Sequence, residues 1–370
     1  MAPKKNIVII GAGTAGIETA QGLSKALDPS EWSIKLVSDR PFHLHYLALL
    51  RVLVTEDGGF AEKAINPLDR IFQPGRPDEV VVGNATSVQD GVVNLEDGRQ
   101  LPYDYLVLAT GTTWAGPLTF PKSVDGKDKW IADWREKFRT ASDIVILGAG
   151  AVGIELSGEL KNYYPNKNVT VIHGDVLPMN TTYPDKFRRR IVERWEALGV
   201  NFVLGDRGSL PQGDYTSITT DKGQTIKADL VVPTWGGRRN TAFLKSFDPT
   251  IVTAEGNIRV LPTLRVPLSN GKANVYAVGD VIDWQEQKQL AKVPYHVAVV
   301  VPNILASIQG QKAPKVYGGF MEAILLPAGP SAGVMYLPLL WGIIFGDWVS
   351  SMLKAKTLFV AKAQALTGYA

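Results

Sequence analysis

One pattern constrains this chain more than any other, and it occurs twice. "NIVIIGAGTAGIETA" begins at Asn6 and "DIVILGAGAVGIELSG" begins at Asp143. Each is an apolar strand, a G-x-G-x-x-G turn and the start of a helix. In such a turn the first glycine makes the bend and the second lets backbone approach a pyrophosphate. The third lets helix and strand pack closely, and the free N–H groups of the helix start then face the phosphates. Gly11, Gly13 and Gly16 fill these places in the first copy, with Thr14 and Ala15 opening the helix. Gly148, Gly150 and Gly153 fill them in the second. A lone match carries little weight, but two in the right strand-to-helix context predict two dinucleotide-binding units.

The strand "WSIKLVSD" ends in Asp39, about 23 residues after Gly16. A carboxylate there can accept from both adenosine ribose hydroxyls; a solvated turn aspartate is the alternative. The matching position of the second unit reads "VIHGD". His173 and Asp175 compete for it, the carboxylate favouring NADH and the histidine tolerating NADPH. Between the units, "DEVVVGNATSV" and "VVNLEDGRQLPYDYLVLATG" alternate around the turns "QDG" and "EDG", predicting a small antiparallel excursion before the return to the sheet. "PDKFRRRIVERWEALG" predicts an amphipathic helix with Phe187, Ile191, Trp195 and Leu198 on one face and a stop at Gly199. Its Arg188–Arg190 run reads as a solvated face.

Cysteine is absent, which excludes disulfides, thiolate metal sites and a thiol redox relay. Net charge is +3, from 39 basic against 36 acidic residues, and gives no reason to expect nucleic acid as a partner. "MAPKKNIVII" enters a strand by about residue 6, so no targeting segment is expected, and Ala2 does not suit N-myristoylation. The most apolar stretch is "VMYLPLLWGIIFGDWVSSML" (334–353), broken by Pro338, Gly342, Gly346 and Asp347. It reads either as packed secondary structure or as a membrane-docking surface, rather than a transmembrane span.

Three later signals fit the two turns. "YDYLVLATGTT" carries Thr110 and Gly111, "ADLVVPTWGGRRNT" carries Gly236, and "ANVYAVGDVID" carries Gly279 and Asp280. With "DRPFHLHYLALLR", "KVPYHVAVVVPNI" and "LKAKTLFV", the whole chain resembles the apoptosis-inducing-factor-like flavoproteins. It is similar to a fungal-type member of their ferroptosis suppressor (apoptosis-inducing factor 2) group, within the FAD/NAD(P)-binding pyridine nucleotide-disulfide oxidoreductases.

The resemblance implies an α/β fold with two Rossmann-like dinucleotide-binding domains, as in glutathione reductase, plus a short C-terminal segment. The expected parts are an FAD domain from 1–115 and 249–315, an NAD(P)H domain from 116–248, and a C-terminal part from 316–370. The first turn would hold FAD and the second NAD(P)H, and the implied acceptor is a quinone. By the same resemblance Arg51, Asp280 and the backbone of Val81 would contact FAD. Lys122, Glu155 and Lys354 would lie near the active region, and His296 would protonate the reduced quinone or only line the site. His43 and His45 would stand near the flavin. The rivals are a ferredoxin- or rubredoxin-type reductase and a DNA-binding cell-death factor with structural cofactors. A cytoplasmic monomer or homodimer, touching a membrane or lipid droplet peripherally, is expected.

Overall fold

The computed structural model describes residues 3–370; Ala2, read above as unsuited to myristoylation, lies outside them. The chain begins with β1 (Lys5–Ile10), α1 (Thr14–Ala26) and β2 (Trp32–Ser38). Then come α2 (Tyr46–Val54), β3 (Glu79–Val82) and β4 (Tyr105–Leu108). The second unit follows with α3 (Val124–Thr140), β5 (Asp143–Leu147), α4 (Ala151–Tyr163) and β6 (Asn168–His173). It continues with α5 (Asp185–Glu196), β7 (Val200–Leu204) and β8 (Leu230–Pro233). Then come β9 (Val275–Ala277), α6 (Val293–Ile308), β10 (Ile324–Ala328), β11 (Ala332–Leu337) and β12 (Ile343–Phe345), before a helical segment (Asp347–Ala355) and a last helix (Val360–Thr367).

The first sheet is parallel, in the order β9-β4-β1-β2-β3, so its last strand arrives about 165 residues after β4. The second is parallel, in the order β7-β6-β5-β8. Central strands of such sheets are covered on both faces and read as unbroken apolar runs. "DIVIL" of β5 is buried throughout, and Ile7 to Ile10 of β1 likewise. The antiparallel excursion forms as predicted, with Gly91 and Gly98 at its turns in the left-handed region. Where the chain crosses between the sheets, Thr112–Thr113 pairs antiparallel with Arg238–Arg239.

Helix α5 buries Phe187, Ile191 and Trp195 as the periodicity demands, and the Trp195 indole donates to the carbonyl of Ile154 at 2.8 Å. The arginine run is not wholly solvated. Arg188 is buried, its guanidinium donating to the carbonyls of Pro178 and Leu177 and to Asp185, because the loop before α5 folds back and offers unpaired carbonyls. Arg189 and Arg190 do face solvent.

The apolar run 334–353 forms no single helix. It supplies β11, a turn, β12 and a helical segment, Asp347–Ala355, beside the antiparallel sheet β10-β11-β12. Among the described residues one helical stretch, Leu290–Ile308, is apolar and long enough to cross a membrane; it contains α6, which packs on α1.

Candidate functional site

The two turns are built alike. Gly11 has φ +112°, and a Cβ there would stand 2.3 Å from the carbonyl oxygen of Ala109. A Cβ on Gly16 would stand 1.8 Å from the oxygen of Gly11. In the second copy Gly148 has φ +115°, and a Cβ on Gly153 would stand 1.9 Å from the oxygen of Gly148. The middle glycines, Gly13 and Gly150, face open space and are the N-caps of α1 and α4, with no side chain capping either helix. The first N–H groups of both helices are therefore left without a side-chain cap beside open space, the arrangement that binds phosphates at helix starts.

Around the first cradle the late G-D motif comes home. Gly279 takes φ +78°, and a Cβ on it would stand 3.0 Å from the Ala15 Cβ at the start of α1. Asp280 follows, its carboxylate making no side-chain hydrogen bond among the described residues. Burial raises its pKa above the usual aspartate range, against the pull of Arg239 and Lys288. A carboxylate held there without a partner fits a ligand that brings hydroxyl groups. His43 donates from Nδ1 to the Ala12 carbonyl of the turn at 3.3 Å, and its buried Nε2 has no partner among the described residues. Burial pushes its pKa down to about 4, so it is neutral at pH 7. Asp39 stands just past the end of β2, paired with Arg40 at 3.0 Å and with Lys122 at 3.2 Å. Val81 lies on β3 in register with Val37. Thr110 donates to the carbonyl of Asn240 at 2.7 Å, and Gly111 accepts from the Asn240 N–H, tying the A-T-G end to the second crossover.

His296, expected either to protonate the reduced quinone or only to line the site, is held at both ring nitrogens. Its ring is buried, and Nδ1 accepts the Gly279 N–H at 3.1 Å. That leaves the proton on Nε2, which meets Glu286 at 3.1 Å. Tyr317 donates to the other oxygen of Glu286 at 2.5 Å, and Lys292 joins Glu322 at 2.7 Å beside it. Both nitrogens are engaged, and the ring ties the Gly279–Asp280 turn to Glu286.

At the second cradle Thr234, after β8, donates to the Gly148 carbonyl at 2.9 Å. Gly236, two residues on, faces open space. His173 closes β6, where its Nδ1 accepts the Ala149 N–H at 3.2 Å; Asp175 stands 3.8 Å from its Nε2.

Two of the three residues expected near the active region meet, while Lys122 pairs with Asp39 instead. Lys354 donates to Glu155 at 2.8 Å and to the Leu325 carbonyl at 3.0 Å. Lys354 sits in a π-helical turn, Ser351–Ala355, a widened geometry common at functional sites. Glu155 is on the first turns of α4, just past Gly153. Arg51 is not available to a cofactor. It is fully buried, pairs with both oxygens of Glu159 at 2.9 and 2.6 Å, and donates to the Ala355 carbonyl at 2.7 Å. A guanidinium so enclosed needs a carboxylate, and α4 supplies it one turn after Glu155. His45 adds a bond from Nε2 to the Leu358 carbonyl at 2.7 Å, so α2 holds the C-terminal segment at two points. Sequence reading missed Glu159, Glu286 and Tyr317. Only Glu159 had a signal, its i, i+4 spacing from Glu155 in "GIELSGEL".

The residues present fit two dinucleotides: two open phosphate cradles, an unpartnered carboxylate at the first, and a polar strand end at the second. The family model described as pyridine nucleotide-disulphide oxidoreductase matches residues 5–299. The FAD-dependent oxidoreductase FVFD30 of Flammulina velutipes is 40% identical over 323 residues, covering 86% of this chain and 99% of that one. Ferroptosis suppressor protein 1 of Homo sapiens is 30% identical over 367 residues, covering 96% and 94%. Among solved structures, the sulfide:quinone oxidoreductase of Aquifex aeolicus matches with TM-score 0.76 at 16% identity, over 99% of this chain and 92% of that one. The chain belongs to the pyridine nucleotide-disulphide oxidoreductase family, as an FAD-dependent oxidoreductase.

Proposed function

We propose that the chain oxidises NAD(P)H and reduces a quinone, so that NAD(P)H, one proton and a quinone become NAD(P)⁺ and a quinol. The observation that carries this reading is the Lys354–Glu155 pair and what surrounds it. The Lys354 side chain is 10% exposed, while the preceding Met352 and Leu353 are exposed. Exposed apolar side chains beside a cation donor suit an apolar acceptor with a carbonyl oxygen. The lack of cysteine supports direct electron exit, without a thiol relay.

FAD, when bound, supplies the two-electron centre. The chain's own residues do the rest. Gly13 and Gly150 would leave room for the pyrophosphates, and Asp280 would accept from the ribityl hydroxyls. Glu155 sets the Lys354 ammonium, and Lys354 donates toward the acceptor's carbonyl. A lipophilic quinone resides in a bilayer, and the turn between β11 and β12 offers a way to reach it. Trp341 is 94% exposed and Leu340 78%, with Trp348 and Met352 exposed beyond them. Lys186 clamps this turn by donating to the carbonyls of Trp341 and Gly342. Such residues favour a membrane interface.

The test is stopped-flow reduction of the FAD-loaded protein by NADH and NADPH, then reoxidation by quinones of increasing tail length and by a ferredoxin. Fast reoxidation by quinones supports the reading. Reoxidation by the ferredoxin alone replaces it with the electron-carrier reductase.

A further inference from the structure

We infer that the end of β6 is a 2′-phosphate site and that Arg207 makes the chain prefer NADPH to NADH. The inference rests on the second glycine turn holding a pyridine nucleotide. The acceptor of an NADH-type ribose is a carboxylate at the strand end, and here that position is His173. Its Nδ1 accepts the Ala149 N–H at 3.2 Å, which places the ring proton on Nε2. That Nε2 lies buried without a hydrogen-bond partner among the described residues, 3.8 Å from Asp175, so the strand end itself carries an imidazole N–H and not a carboxylate.

Arg207 comes from the loop after β7 and lies over Gly174. A Cβ on Gly174 would stand 2.8 Å from the Arg207 Nε, so the missing side chain is what lets the guanidinium cross the strand end. Arg207 is exposed and makes no ion pair among the described residues. The carboxylate beside it in sequence, Asp206, cannot neutralise it. Asp206 is buried and accepts the backbone N–H groups of Arg207 at 2.8 Å and Lys222 at 3.2 Å. The ammonium of Lys222 adds a second positive charge, 3.9 Å from where a Gly205 Cβ would stand.

Asp175 opposes them at the strand end. Its side chain is 64% exposed and one residue beyond the strand-adjacent Gly174, so it can turn to solvent when a phosphate enters. A guanidinium matches phosphate geometry in a way that no ribose hydroxyl requires. Asp206 is already engaged by the backbone N–H groups of Arg207 and Lys222, so the unpaired Arg207 guanidinium, with the Lys222 ammonium near it, is what selects the phosphorylated ribose against the solvated Asp175.

Calorimetric titration of the FAD-loaded protein with NADP⁺ and NAD⁺ reads this without turnover. Wild type is expected to bind NADP⁺ at least about tenfold more tightly, the size of one charge-assisted hydrogen bond. Arg207→Ala should erase that preference and leave NAD⁺ affinity within about twofold, while Arg207→Lys retains part of the preference. Asp175→Asn should widen it. Equal affinity for the two nucleotides in wild type overturns the inference, as does an Arg207→Ala variant that keeps the preference. Loss of NAD⁺ binding in Asp175→Asn also overturns it, because the carboxylate is then the ribose acceptor. Gly150→Val separates this failure from failure of the second turn itself: it should abolish binding of both nucleotides, and if both still bind, the turn is not their site.

Discussion

Lys354 Nζ and Glu155 Oε1 lie 2.8 Å apart although 199 residues separate them in the chain. The glutamate rides on the helix that the second glycine turn starts, and the lysine on the segment that closes the fold. The pair therefore joins the nucleotide cradle to the C-terminal cover. Lys354→Met should slow reoxidation by quinones about 100-fold, the scale of losing a positioned proton donor, while FAD content and dithionite reduction stay unchanged. Glu155→Gln should act in the same direction but more weakly. If Lys354→Met reoxidises at the wild-type rate, the lysine has only a structural part.

Arg51 and Glu159 give a stability prediction. Removing one partner strands a charge in a site where Arg51 is 0% and Glu159 2% exposed. Arg51→Met should destabilise the protein by about 3–5 kcal/mol in denaturant unfolding. Burial already pushes the Glu159 carboxyl up, so the stranded acid should take a proton and limit the loss at low pH. The double variant Arg51→Met with Glu159→Met should recover most of the stability. A double variant as unstable as the single one would mean that packing and not charge pairing sets the cost.

Asp280 predicts a pH dependence whose sign depends on FAD. A carboxyl with a raised folded pKa binds its proton more tightly folded than unfolded. Its penalty is absent below the ordinary aspartate range and grows as pH rises through the raised value. Without FAD, Asp280→Asn should therefore melt higher than wild type at pH 7, and the gap should close near pH 4. With FAD present the order should reverse, because the amide is a poorer acceptor for ribityl hydroxyls, and FAD should bind roughly tenfold more weakly. His296→Ala should also weaken FAD by freeing the Gly279 N–H, whereas His296→Asn, which offers an acceptor, should retain more. Melting curves and FAD titrations across pH check both statements.

Trp341, 94% exposed, carries the membrane prediction. Trp341→Asp should leave the melting temperature unchanged, reduce flotation with anionic liposomes, and slow long-tailed quinones more than short soluble ones. Wild-type protein that never floats at low salt removes the bilayer from the mechanism.

The sequence by itself determined what short-range chemistry can specify. The two glycine turns, the apolar strands feeding them, the amphipathic face of Phe187, Ile191 and Trp195, and the antiparallel excursion all follow from periodicity and turn residues within about 20 positions. So does the lack of a thiol relay. Tertiary structure alone decided what the charged and titratable groups do, because each such group answers to a partner brought from far along the chain. Arg51 looked like a cofactor ligand until Glu159, 108 residues on, enclosed it. His296 could be read as a proton donor or as a site-lining histidine, and only the fold shows Gly279 and Glu286 at its two nitrogens. Arg188 looked solvated until the loop before α5 offered it carbonyls. A buried polar group must find a partner to offset lost hydration, and which partner it finds depends on how the whole chain packs, not on neighbouring residues.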